Sequence, residues 1–367
     1  MKILASASPG EVRVAAWDHD GLIDYAVWRP GAPDGVGDLY RGRITARVPA
    51  MAGAFVELVD AYGFLPDTEG GRDASEGTVL GVRITRAAQG GKGPRLTAHL
   101  SEAERARIGT GPAARLHRGP DAVQRLAALH PGAPVVVDDA ALAAWLRPVL
   151  GSRMKQGAAF DEHVETAVEE LTEPVAQLPG GARLSVYPTP ALTALDVDLA
   201  ALTADTRGKG AAQMAANAGL LAAIARQIRL RNLSGAILLD FGGMPVRRRT
   251  ALGPALSAAL ANDPLQPRLL GFTALGLAEI VRPLIHPPLA ELLAGPHAAG
   301  LAALRAAARE AAARPEVSWR LRAAASVVTA LRSDPVALPD YARRAGRDLV
   351  LLEDRALVPS GWALEEG

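Results

Sequence analysis

Two short apolar runs each end in an aspartate, and no other feature constrains the chain as much. The first, Leu192-Thr193-Ala194-Leu195-Asp196, carries a second acid at Asp198. The other, Ala236-Ile237-Leu238-Leu239-Asp240, runs into Phe241-Gly242-Gly243. A short continuous apolar run bounded by turn residues reads as a buried strand. A carboxylate at the carboxyl end of such a strand stands at the rim of a sheet, where α/β folds place ligands. Two such acids on neighbouring strands would hold one hard divalent cation, Mg²⁺ by preference, with several waters left on it. The competing reading is that each acid caps its strand or pairs with a nearby arginine.

Composition narrows the function classes. The 367 residues suggest two or three domains. Hydrophobic residues make up 49%, enough for real cores, and aromatics only 4%, so those cores are aliphatic. The formal charge of +1 excludes a polycation. Nucleic-acid binding would have to come from a local patch plus stacking. The absence of cysteine excludes disulfides, thiolate catalysis and cysteine-ligated zinc. It fits a reducing compartment. The opening Met1-Lys2-Ile3-Leu4-Ala5-Ser6 lacks the sustained apolar stretch of a signal peptide, so the expected location is cytoplasmic. No window reaches the roughly 18 uninterrupted apolar residues of a membrane span.

The runs Glu11–Ala15 and Leu22–Trp28 alternate and predict an antiparallel pair turned at Asp18-His19-Asp20-Gly21. Five short strands follow, at Leu39–Val48, Gly53–Val59, Tyr62–Pro66, Thr78–Arg86 and Pro94–His99. That density predicts a small closed barrel of the OB type. Arg41, Arg43, Arg47, Arg83, Arg86, Lys92 and Arg95 interleave there with Phe55, Tyr62 and Phe64. Cations that hold phosphates beside rings that stack bases suit single-stranded nucleic acid; the alternative for each phenylalanine is a place in the barrel core. Gly90-Gly91-Lys92-Gly93 is not a phosphate-binding P-loop, because the Gly-Lys-Ser/Thr ending and the helix are missing.

Beyond the barrel the pattern predicts helix Asp121–Leu129, strand Pro134–Asp138 and helix Ala140–Leu150. A hairpin of Gly180–Leu184 with Ala191–Asp196, turned near Pro188, comes next. Lys209–Arg231 is the clearest helix, with a stripe of Leu220, Leu221, Ile224 and Ile228. Its last turns carry Arg226, Arg229 and Arg231. These, with Arg247, Arg248 and Arg249, either touch phosphates or lie on a solvated face. Residues 300–313 predict a helix. Strand Val317–Ala323, helices Val327–Ser333 and Pro339–Ala345, and strand Asp348–Glu353 predict a small α/β unit.

Together these motifs resemble the ribonuclease E/G family of bacterial endoribonucleases. Gly37–Ile44, Ala54–Leu58 with Tyr62–Pro66, and Gly90–Thr97 look like the family's S-one type barrel. Leu192–Asp198, Asn217, Ile224–Gly235, Ala236–Phe241 with Met244, and Leu275–Arg282 look like its catalytic part. The resemblance implies a multidomain α/β chain: an OB-fold RNA-binding barrel (35–100) inserted in an RNase H-like subdomain (1–34 and 112–171). A DNase I-like catalytic subdomain (172–295) and a small C-terminal α/β domain (296–367) follow. It implies a Mg²⁺-dependent endoribonuclease that cuts single-stranded RNA, with Asp196 and Asp240 on the metal; Asp198, two residues on, is this chain's own candidate for a third catalytic acid. Phe55, Phe64 and Lys92, with Arg41 and Arg43, are the expected RNA-binding residues.

Three departures bear on that expectation. Asp198 stands where the family has asparagine, and Leu199, Ala200 and Ala201 follow where small and arginine residues are usual. This motivates the alternative of a catalytically impaired RNA-binding paralogue. A short stretch joins Leu100 to Asp121, with no arginine–threonine pair in the context that senses an RNA 5′ monophosphate. The paired zinc cysteines are replaced around Pro287-Pro288-Leu289-Ala290-Glu291, with only His286 and His297 near. That argues against zinc-linked assembly and leaves a homodimer formed by packing of the C-terminal unit as the expected alternative.

Overall fold

The computed structural model describes residues 1–59, 61–199 and 209–367. Ala200 and Ala201, and so most of the Leu199–Ala201 departure, lie outside them. The chain divides into two compact units, one of Met1–Ala32, Ala122–Pro283 and Pro288–Gly367, the other of Pro33–Asp121 with Leu284–Pro287.

Strands β1 (Lys2–Ser8), β2 (Glu11–Asp18) and β3 (Gly21–Trp28) open the first unit as an antiparallel run. The expected β2–β3 hairpin is present. β1 was not foreseen, because Ile3, Leu4 and Ala5 are all buried and show no alternation. Its two faces feed different cores: Ile3 and Ala5 one, Leu4 the other.

The second unit holds β4 (Leu39–Val48), β5 (Gly53–Glu57), β6 (Tyr62–Pro66), β7 (Val79–Arg86), β8 (Arg95–Thr97) and β9 (Ala114–His117). Their order is β5-β6-β8-β7-β4-β9, and a further β4–β5 pairing closes β4 to β8 into a five-stranded, OB-like barrel. β4 is ten residues long and bulged between Ile44 and Ala46, so it reaches both β7 and β5. Tyr40, Ile44, Val56, Leu65, Val82, Ile84 and Leu96 fill the interior. β9 is an addition to the expected five strands.

Back in the first unit, β10 (Val135–Val137) and β11 (Met154–Gln156) complete the opening sheet in the order β11-β10-β1-β2-β3, with β10 parallel to β1. Helices Ala122–Leu129 and Ala140–Leu150 bury Val123, Leu126, Leu142 and Leu146 against it.

The sheet that carries the acids comprises β12 (Val175–Gln177), β13 (Arg183–Pro188), β14 (Thr193–Asp198), β15 (Gly235–Asp240), β16 (Arg268–Phe272) and β17 (Ala278–Arg282). Its order is β12-β13-β14-β15-β17-β16, and β14–β15 is its one parallel pairing among the described strands. The expected hairpin is present and turns beside Pro188, where Thr189 N–H donates to Leu192 O at 2.9 Å; its first arm, Arg183–Pro188, lies later than the expected Gly180–Leu184. Helix Lys209–Leu230 lays Leu220, Leu221, Ile224 and Ile228 on the core, as its stripe predicts. The parallel pair follows from this helix, which carries the chain back from the end of β14 to the start of β15.

Strands β18 (Trp319–Ala323), β19 (Val350–Glu353) and β20 (Trp362–Glu366) close the chain in the order β19-β18-β20. Helices Gly295–Ala313, Ala325–Ser333 and Ala337–Ala345 share a core with them, centred on Leu301, Leu304, Leu321, Val328 and Tyr341. β20 was missed: its exposed, acidic end hides the strand pattern. The first helix starts five residues earlier than its alanine run suggests.

Candidate metal and RNA sites

Register places the acids. β14 and β15 pair in parallel with Leu195 beside Leu239 and Asp196 beside Asp240. Leu195 and Val197 point into the core, so the two-residue repeat turns Asp196 and Asp198 to the opposite face. The two strand-end aspartates therefore stand next to each other at the carboxyl rim. Partial burial holds the Asp196 carboxyl above the usual carboxylate range, and the charges of Asp240 and Asp198 add to the rise.

Two of the three acids have a guanidinium. Arg183, in register with Asp198 across β13–β14, donates Nη2–H to Asp198 Oδ2 at 2.6 Å. Arg249, at the end of helix Val246–Arg249, pairs through Nη1 with Asp240 Oδ1 and donates Nε–H to Met244 O at 3.0 Å. Neither partner was read from the sequence. Arg183 would follow from the hairpin once its arms are placed correctly; Arg249 has no local signal.

The turn after β15 is held from two sides. A Cβ on Gly242 would lie 2.4 Å from Val197 O, so only glycine lets the turn approach β14 this closely. Asn217 is fully buried and donates its Nδ2 hydrogens to Gln213 O at 2.9 Å and Gly242 O at 3.1 Å. Its Oδ1 has no partner among the described residues.

The helix arginines are neither solvated nor turned to a ligand. Arg226 donates to Leu22 O at 2.7 Å, Arg229 to Ile23 O at 2.8 Å and Arg231 to Glu173 O at 2.6 Å. They fasten the helix to neighbouring backbone carbonyls. Arg247 and Arg248 lie beside Arg249 on the exposed short helix.

On the barrel, Phe55 and Phe64 are register partners, with centroids 5.7 Å apart and planes at 69°. Phe55 is 37% exposed. Gly53 makes room for the second ring: a Cβ there would sit 2.4 Å from Phe64 Cζ. Lys92 is exposed in a turn closed by the Gln89–Lys92 bridge. Arg41 is committed elsewhere, donating to Pro112 O and Ile108 O, each at 2.6 Å. Arg43 pairs with Glu57 at 2.7 Å, Arg47 with Asp67 at 3.0 Å and Arg83 with Glu104 at 2.6 Å. The structure thus brings the two rings together but spends Arg41 and Arg43 on the barrel itself.

By proximity of ligand atoms, three such groups gather among the described residues at Asp18, His19 and Asp20, in the β2–β3 turn, and not at Asp196, Asp198 and Asp240. His286 Nδ1 lies 2.6 Å from Asp34 Oδ2, and His297 Nε2 lies 2.8 Å from Asp334 Oδ2. Each histidine is engaged by its own carboxylate. No helix among the described residues is long and apolar enough to cross a membrane.

Comparison with known proteins matches residues 150–284 to the model of the ribonuclease E/G family. That span contains both strand-end aspartates, Asp196 and Asp240. Ribonuclease E of Nostoc sp. is 31% identical over 188 residues, 46% of this chain and 27% of that protein. Ribonuclease E of Escherichia coli K12 is 34% identical over 158 residues, 41% of this chain and 15% of that protein. The chain therefore spans about a quarter or less of these two relatives. Ribonuclease G of Escherichia coli K12 is 26% identical over 389 aligned positions, 77% of this chain and 79% of that protein.

Proposed function

We propose that the chain is a ribonuclease of the E/G type, a divalent-metal-dependent endoribonuclease of single-stranded RNA. The observation that carries the reading is the side-by-side register of Asp196 and Asp240 at the carboxyl ends of two parallel strands. The donor set suits a hard cation. Two adjacent carboxylates with a third nearby repel one another, and the raised Asp196 carboxyl records that repulsion along with its burial. Asp196 and Asp240 would hold the ion, Mg²⁺ in our reading. When bound there, such an ion supplies Lewis-acid polarisation of a phosphoryl oxygen and a more acidic water.

The remaining residues position and bind. Asn217 and Gly242 fix the turn that follows Asp240. Arg249 orients the Asp240 carboxylate, and Arg183 takes up the charge of Asp198. Phe55 and Phe64 offer stacking faces to bases, with Lys92 as a phosphate contact. The subdomain likenesses named for the family, RNase H-like for the opening sheet and DNase I-like for the β12–β17 sheet, and a cytoplasmic setting belong to the same proposal.

A second reading has its own observation. Two of the three acids already carry an arginine, as charge-neutralised relics of a metal site would. In that case the chain binds RNA without cutting it. Labelled single-stranded RNA incubated with Mg²⁺ or with EDTA separates the two. Metal-dependent cuts that disappear in Asp240→Asn support the nuclease. Tight binding without cuts under any divalent ion would replace it with the binding protein.

A further inference from the structure

We infer that Arg86 and Arg95 form a phosphate clamp that continues the ring pair across the outside of the barrel. A single-stranded RNA then crosses β5, β6, β8 and β7 in turn, with bases on the rings and phosphodiesters on the guanidiniums. This deepens the reading of the barrel as an RNA-binding module and rests on it.

Register carries the inference. Phe55 faces Phe64 across β5–β6, Phe64 faces Arg95 across β6–β8, and Arg95 faces Arg86 across β8–β7. The flanking Ala54, Val56, Leu65, Leu96 and Ile84 all point into the barrel core. Strand alternation therefore turns Phe55, Phe64 and Arg95 to the outer surface, and the pairing across the β7 bulge sets Arg86 on the side of Arg95. Adjacent strands are about 4.8 Å apart, so the row of four positions spans roughly 14 Å. A bulge between Ile84 and Arg86 sets two residues of β7 against Arg95, a device that re-aims side chains at functional edges.

Charge balance separates this pair from the other arginines of β4 to β8. Arg43, Arg47 and Arg83 each have a carboxylate, and Arg41 has two carbonyls. Arg86 has a buried Nε without a partner among the described residues, and the charged neighbour acting on it is another cation, Arg95. Burial, with the Arg95 charge, pulls its pKa below the usual guanidinium range. Gln89, just beyond β7, is 7% exposed with both amide atoms unpartnered among the described residues. Two unneutralised guanidiniums and an orphaned amide at one edge are costly for the barrel alone. An anion seated between the arginines removes the cationic part of that cost, and a phosphodiester matches their forked donors.

The test is the salt dependence of binding. Full-length protein in EDTA is titrated against a fluorescent single-stranded oligoribonucleotide at several salt concentrations, for wild type, Arg86→Gln/Arg95→Gln and Arg43→Gln. Each phosphate contact on a single strand contributes about 0.7 to the slope of log K against log salt. The double variant should lose about 1.4 of slope, and Arg43→Gln none. Arg86→Lys/Arg95→Lys should restore most of the slope, since a point charge suffices for it. Should the double variant melt early, Arg95→Gln at its exposed position should lose about 0.7. A folded double or single glutamine variant with the wild-type slope overturns the clamp while leaving RNA binding intact. Wild-type protein that fails to bind even at low salt overturns the RNA reading of the barrel itself, a distinct result.

Discussion

The outer row of the barrel and the acidic rim of the β12–β17 sheet use one device, residues at paired positions on adjacent strands, and balance their charges in opposite ways. On the rim, Asp240 and Asp198 each have an arginine, and only Asp196 is without a cation among the described residues. On the barrel, Arg43, Arg47 and Arg83 each have a carboxylate, and Arg86 and Arg95 have none among the described residues. A rim with resident counter-ions can stay folded without a bound cation. A barrel edge with surplus cations is left unbalanced until a polyanion covers it. Which charges are spent inside the protein, more than how many there are, separates scaffold from site.

The comparison breaks most sharply at Asp240. In Asp240→Asn one of the two proposed metal carboxylates becomes a neutral amide, and Arg249 loses its ionic partner. Cleavage should fall by about a thousandfold or more, ~4 kcal/mol on the barrier. Affinity for RNA measured in EDTA should stay within about twofold, because the barrel row is untouched. An equal loss of binding would show that the rim, not the barrel, holds the RNA. A second test asks whether the scaffold under the rim is separate from the rim. Arg282 donates Nε–H to Asp263 Oδ2 at 2.7 Å, and both residues are almost fully buried at the edge of the acid-bearing sheet. Arg282→Met strands a buried carboxylate and should cost about 3–5 kcal/mol in urea unfolding, with most of it recovered in Arg282→Met/Asp263→Leu. Cleavage per folded molecule should hardly change.

How much of this was legible beforehand differs between the two regions for a physical reason. The barrel strands and the helix Lys209–Leu230 follow from short-range signals: alternation, glycine punctuation and a 3.6-residue stripe. The pairing of Asp196 with Asp240 also follows, since both end apolar runs joined by a helix. Strand β1 escaped because it is buried on both faces and its alternation is erased. The partners of charged residues escaped most. Arg226, Arg229 and Arg231 look like a basic helix face, yet they bind carbonyls from segments far away in the chain. Only register or tertiary packing decides whether an arginine meets a carboxylate, a carbonyl or open solvent. For the same reason Arg41 and Arg43 look as available in the sequence as Arg86 and Arg95.

Phe64 measures the barrel's stacking contribution separately from its charges. Phe64→Ala should weaken single-stranded RNA binding by about 1–3 kcal/mol, roughly 5- to 150-fold, and leave the salt slope unchanged. The ring is partly exposed, and Gly53 beneath it would be left uncovered, so a modest loss in melting temperature should accompany the binding defect. Phe64→Trp should keep the stacking face. A slope change in Phe64→Ala would mean that the ring positions the arginines instead of stacking a base.

The smallest expected effect comes from a barrel cation that is already spent. Glu104 accepts the Ser101 backbone N–H at 2.7 Å in a capping box and the Arg83 Nη1–H at 2.6 Å. Its pKa falls to about 2, led by the Ser101 N–H, opposed by burial and lowered further by Arg83 and the Ser101 hydroxyl. A depressed carboxylate adds stability that is present above its unfolded pKa near 4.5 and lost as pH falls through about 2. The pair is partly open to solvent, and screening there limits the contribution to about 1 kcal/mol or less. Glu104→Gln keeps the reach of the capping box but removes the charge. Its deficit against wild type in denaturant unfolding should therefore be visible at pH 7 and shrink toward zero as the pH approaches 2. A deficit that persisted undiminished in acid would assign the role of Glu104 to packing, and Arg83 would then count with Arg86 and Arg95 among the cations available to RNA.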